Sequence, residues 1–282
     1  MKLSSHFWSN LTSRQFAQLA ASPDVAQVVA VLPVAAIEQH GPHLPVSVDT
    51  TLVEGVIQAT LPHLEADLPV LFMPTQAVGK SNEHIRFPGT LTLSAQTLMN
   101  VWMELGACVA RTGIKKLVLL NSHGGQVSVM DIVARDLRTA HDLIVFSTNW
   151  YTLPLGADVL GLFPPEEHRF GIHAGDMETS MMLALEEISG DRHIDMTQAR
   201  DFKSTAQDRA AKYPILGNGT SAKLAWQVQD YNAMGAAGNA SIATAAKGHA
   251  LIKAAGLQLA KLLREISDLP LSTLNPNPHF PA

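Results

Sequence analysis

The chain has a single cysteine, Cys108, in 282 residues. That excludes an internal disulfide and any thiolate-built zinc cluster. It suits a reducing cytoplasm, with Cys108 read as a buried helix thiol. Charge is also sparse: Asp, Glu, Lys and Arg make up 16%, the formal net charge is -5, and the basic residues form no block. Neither a phosphate-backbone footprint nor an anionic-membrane footprint is visible, so nucleic acid and membrane are not expected partners. Every apolar run is too short or too interrupted to span a bilayer, and the start MKLSSHFWSNLTSRQF lacks a charged-then-apolar export pattern. No internal repeat or linker divides the sequence. Residues 1–282 therefore read as one domain, whose Pro- and Asn-rich tail (268–282) is expected to be a surface strap or disordered.

What is present is a 46% hydrophobic chain with twelve histidines. Residues 24–37 (DVAQVVAVLPVAAI) are apolar without alternation and rich in Val, the pattern of a strand buried on both faces of a parallel sheet. The pattern returns at 68–78, 115–122 and 142–151, and helical periodicity fills the intervals. Strand and helix alternate, which predicts an α/β architecture: three α/β/α layers around a mostly parallel sheet. Residues 200–240, rich in Gly, Asn and Ala, read as excursions over one face, and a long amphipathic helix follows.

Ligands of such sheets collect beyond the carboxyl ends of the strands. Sorted by that rule, Glu38, His40 and Asp49 follow the first strand, Ser81, Glu83 and His84 the second, His123 the third, and His173 and Glu178 the fourth. In E-Q-H, residues i and i+2 of an extended segment share a side, so Glu38 and His40 address one cavity while Gln39 points away. Pro42 and Pro45 stiffen the loop that returns Asp49 to it. Imidazoles and carboxylates without thiolate suit Zn, Mn or Fe in a hydrolytic site.

Five ligands, Glu38, His40, Asp49, His123 and Glu178, are enough for two divalent ions if one carboxylate bridges, and Asp49 is assigned that place. Two ions about 3.5 to 4 Å apart can hold a hydroxide between them and polarise a carbonyl. His173 is left over as the proton shuttle, with Glu178 beside it in the catalytic set. Gly124 and Gly125 let backbone approach a ligand, and Trp150 and Tyr151 offer an aromatic wall.

Taken singly, each of these residues has an ordinary explanation as a helix cap or a satisfied strand-end histidine. Jointly, five ligand types at successive strand ends outweigh that. His43 reads equally as an orienting residue behind a ligand or as loop surface. His6, His63, His141, His168, His193, His249 and His279 read as solvated, and Met177, Met181 and Met182 as core filler.

The blocks E-Q-H-G-P-H-L-P…D-T, S-x-E-H-x-x-F-P-G-T (81–90), N-x-H-G-G (121–125), H-A-G-x-x-E-T-S (173–180) and G-N-A…A-T-A-x-K-G (238–248) resemble the creatininase (creatinine amidohydrolase) family. The resemblance implies a creatininase-like fold and a two-metal centre of Zn or Mn, Fe in some members. It further implies hydrolysis of cyclic or linear amides and a homo-oligomer, often a hexamer. Residue by residue it gives Glu38, His40, Asp49, His123 and Glu178 to the metals, His173 to catalysis, and Ser81 and Glu83 to a loop touching the site. One departure stands out: creatininases proper carry a carboxylate two positions after the histidine matched by His123, where this chain has Gly125. Relatives with H-G-G include formamide hydrolases and a peptidase, so the expected substrate is a small amide or formamide rather than creatinine. The alternatives are a non-catalytic metal-binding scaffold of the same fold and, within the family, a creatinine hydrolase proper.

Overall fold

The computed structural model describes residues 3–275. Four strands, β1 (Val29–Val34), β2 (Val70–Phe72), β3 (Lys116–Asn121) and β4 (Ile144–Asn149), form one parallel sheet in the order β2-β1-β3-β4. The helices are α1 (Ser13–Ala20), α2 (Val48–Thr60), α3 (Ala95–Arg111), α4 (Val127–His141), α5 (Ala157–Leu160), α6 (Pro165–Phe170), α7 (Asp176–Ser189), α8 (Thr205–Lys212) and α9 (Ala245–Asp268). A short antiparallel ribbon pairs β5 (Asp201–Phe202) with β6 (Gly238–Asn239).

The alternation of side chains along a strand explains the layers. Val29, Val31, Val70, Phe72, Val118 and Leu120 face one side, packed with apolar residues of α2, α7 and α9. Ala30, Leu32, Val34, Leu71, Leu117 and Leu119 face the other, packed with α3 and α4, where Trp102 is fully buried. The three-layer expectation holds. Gly256 lets α9 approach α2 closely, since a Cβ there would lie 2.5 Å from the Ala59 carbonyl carbon.

Two strands differ from expectation. The 68–78 run yields only three strand residues, because Pro74 cannot continue a ladder. β4 is not buried throughout: it pairs only with β3, and Phe146 is 39% exposed. Cys108 is half-buried, with Arg111 donating to its Sγ. His63, His168, His193 and His249 are exposed, whereas His6 and His141 are half-buried. His279 and residues 276–282 of the expected tail lie outside the described residues. Among those described, no helix is long and apolar enough to cross a membrane.

The strand order places β2 on one side of β1 and β3 and β4 on the other, so connections leave β1 and β3 in opposite directions. A crevice opens beyond the carboxyl ends of those two strands, where such sheets bind ligands.

Candidate metal centre

The segment after β1 stays extended through Glu38 and turns at Gly41, whose φ of +67° falls in the region that favours glycine. The Glu38 amide bonds the Val46 carbonyl, closing the loop that brings Asp49 back in the first turn of α2. Across the crevice, β3 runs into Asn121, whose side-chain oxygen accepts the His123 amide at 3.0 Å and aims that residue at the same point. The fourth contribution comes from the start of α7. There Ala174 takes a strained φ of +54° and its N–H bonds the Glu178 carboxylate.

These segments converge. Glu38 Oε1 lies 3.3 Å from His123 Nδ1, 3.4 Å from His84 Nε2 and 3.8 Å from His173 Nδ1. Asp49 sits between the two halves, with Oδ1 3.7 Å from His40 Nε2 and Oδ2 3.4 Å from His123 Nδ1. His40 Nε2 is 3.9 Å from Glu178 Oε2.

The ring nitrogens are oriented by backbone. A carbonyl oxygen only accepts, so each histidine facing one must donate its N–H to it. His40 Nδ1–H goes to the Glu38 carbonyl at 3.0 Å, His123 Nε2–H to that of Lys80 at 2.9 Å, and His173 Nε2–H to that of Gln39 at 2.7 Å. His40 Nε2 and His173 Nδ1 are left bare toward the carboxylates, whereas His123 also turns Nδ1 to Glu38 and Asp49, which hold it well above the usual imidazole range although burial would lower it. Anchoring of the far nitrogen is what fixes metal-ligating histidines.

Glu38 Oε2, His40 Nε2 and Asp49 Oδ2 are buried without a hydrogen-bond partner. Their ion-pair neighbours among the described residues are histidines, with no Lys or Arg. Burial, then Glu38, pushes the Asp49 carboxyl up to about 7, and burial, then Asp49, pushes Glu178 up to about 8. Glu38 goes the other way: burial would raise it, but the imidazole of His123 holds it well below the usual carboxylate range. Burial lowers His40 and His173, His40 strongly. Such a set needs positive charge, and it fits divalent cations. Glu38, His40 and Asp49, and likewise His40, His173 and Glu178, each bring ligand atoms within 4.8 Å of one another.

Around this centre several expectations change. Gln39 does point to the other side of the strand, but that side is covered by residues 235–237 rather than open. Its NH₂ donates to His84 Nδ1 at 2.8 Å and to the Gly235 carbonyl at 2.8 Å. Because Gln39 Oε1 accepts the Gly41 N–H, its NH₂ is the donor to His84, whose Nε2 therefore carries the proton and points at Glu38. His84 thus enters the centre, its ring tilted against that of His173 at 4.3 Å and edge-on to Trp226 at 6.0 Å. Trp226, in an irregular stretch, carried no sequence signal.

His43 is buried, bonds Thr179 Oγ1 at 3.0 Å and stacks on Phe202, so it is not loop surface. Trp150 forms no wall: it is buried in the core with its Nε1–H on Ser122 Oγ, while Tyr151, 37% exposed, stands near His123, Asp49 and Glu178 at the rim of the centre, where burial pushes its hydroxyl up to about 12. Gly124 is not required by space, since a Cβ there would meet nothing within 4 Å. Ser81 is buried with its Oγ 3.3 Å from His123 Nε2, beside Glu83 Oε1 at 3.3 Å. A cavity of about 820 Å³ between α2 and α7 is lined by none of these residues. Charge and ligand chemistry, rather than size, mark the functional position.

Comparison with known proteins agrees with this geometry. The family model described as creatinine amidohydrolase matches residues 9–263. The mycofactocin precursor peptide peptidase of Mycobacterium tuberculosis (strain CDC 1551 / Oshkosh) is 31% identical, over 79% of this chain and 80% of its own. The creatinine amidohydrolase of Pseudomonas putida is 32% identical, over 64% and 71%. A solved creatininase superposes with a TM-score of 0.73 at 26% identity, covering 93% of this chain and 98% of that one. Two others, one described as "Creatininase Mn" and one a mutant creatininase of "Zn-Zn type", give 0.69 at 26% and 25% identity over the same shares. The chain belongs to the creatininase family.

Proposed function

We propose that this hydrolase of C–N bonds cleaves a small amide or formamide over two divalent cations, Zn or Mn, held by Glu38, His40, Asp49, His123 and Glu178. The observation that carries the reading is the set of histidines pinned by backbone carbonyls, with their other ring nitrogens turned toward buried carboxylates that have no Lys or Arg partner. Bound there, the cations supply an acidified water and a polarised carbonyl.

The chain's own groups do the rest. Asp49 faces both His40 and His123 and would be the carboxylate shared by the two cations. His173, pinned through Nε2, keeps Nδ1 free on the side of Glu38, where it can take a proton from the attacking water and return it to the leaving nitrogen. Burial lowers its affinity for protons, so it is a neutral base near pH 7. Gly125 leaves no carboxylate two residues after His123, which favours formamides or short peptides over creatinine.

The test uses purified protein stripped by chelator and reloaded, assayed on formamides, lactams and short peptides. Hydrolysis should vanish on stripping and return with Zn or Mn. His123→Ala should lose metal and activity together, while His173→Ala keeps metal and loses activity by about 10²- to 10⁴-fold. Hydrolysis untouched by the chelator would sink the proposal.

A further inference from the structure

Gly125 and Glu83 occupy the same space. A methyl built on Gly125 would overlap Glu83 Oε1 outright and lie 2.6 Å from His123 Nε2. The carboxylate that fills this room comes from a different segment, the single turn Asn82–His84 beyond β2. It is held there with Oε1 buried, without a hydrogen-bond partner and 3.3 Å from His123 Nε2. On its other flank His123 presents Nδ1 to Glu38 and Asp49.

We infer that Glu83 is a positioning residue of the metal centre: its carboxylate backs His123 from the Nε2 side, and residue 125 is glycine because that carboxylate takes its side-chain space. The inference rests on the metal-centre reading above. An anion behind the far nitrogen makes the imidazole a stronger donor through its near nitrogen and locks its rotation. The Lys80 carbonyl and Ser81 Oγ share the Nε2 side, so His123 is gripped by one turn of chain. Removing either the charge or the room should therefore damage the same thing.

The experiment titrates metal-free protein with Zn²⁺ by calorimetry and follows Co²⁺ loading by its visible absorption, which reports the ligands around the ion. Glu83→Gln keeps shape and removes charge; Gly125→Ala keeps charge and removes room. Each should weaken cation binding about 10- to 100-fold and alter the Co²⁺ spectrum. The double variant should be no weaker than the worse single one, because both act through one contact. Thermal unfolding of metal-free Glu83→Gln checks that the fold survives, and this isosteric variant decides the matter if Gly125→Ala does not fold. Wild-type affinity and spectrum in Glu83→Gln, or losses that add in the double variant, would overturn the inference. Failure of the wild-type chain to take up any cation would instead remove the metal-centre reading itself.

Discussion

The buried acids of the centre make metal binding and protonation compete, and the structure sets the size of the effect. In the cation-free protein, Asp49 titrates near 7 and Glu178 near 8, against ordinary values of 3.8 and 4.5. A carboxyl raised in the fold contributes stability that is complete below its unfolded value and is lost as pH climbs through its folded one. The stripped protein should therefore weaken between pH 5 and 9, to the extent that these two groups control it. Cations act in the opposite sense, since each acid must give up its proton to bind one. Lowering the pH from 8 to 6 costs Asp49 a factor of about 10 and Glu178 about 50 in competition with protons, together about 500-fold. At 1.36 kcal/mol per tenfold, that is about 4 kcal/mol. With 2–4 °C per kcal/mol for a chain of this size, the Tm gap between loaded and stripped protein should widen by about 10 °C from pH 6 to pH 8. Scanning calorimetry at fixed free Zn²⁺, with chelated controls at each pH, measures it. A gap constant to within about 2 °C over that range would refute the placement of these acids in a shared cation site.

Two further outcomes concern the scaffold. Asp176 is buried at the start of α7, 2.6 Å from Lys247 Nζ and bonded by Ser180 Oγ; Asp176→Ala should cost about 3 kcal/mol in denaturant unfolding, because it strands a mostly buried ammonium. Trp102→Ala should cost about 3–5 kcal/mol in the same assay, with wild-type metal content, since Trp102 is fully buried on the α3 face of the sheet, opposite the layer that carries Asp49 and Glu178.

Much was legible in the sequence. The four Val- and Leu-rich runs announced a parallel sheet, because only a strand covered on both faces drops alternation. Placing chemistry-bearing residues at successive strand ends then gathered Glu38, His40, Asp49, His123, His173 and Glu178, and the fold brings all six together. Less legible were side-chain roles set by partners distant in sequence. Gln39 sits one residue from two ligand types, but its use depends on Gly235, 196 positions away. Trp150 and Tyr151 are adjacent, yet one is core and the other stands at the rim of the centre, which a motif cannot distinguish.

The sequence by itself thus determined the layers, the direction of the strands and the kinds of atoms at the crevice, since these follow from hydrophobic period and from which residue ends which run. Only the tertiary structure decided which nitrogen of each histidine faces the carboxylates, that His84 joins the centre and that Glu83 stands in the space of residue 125. The reason is physical: proton placement and steric room are properties of contacts between segments, and periodicity along one segment carries no information about them.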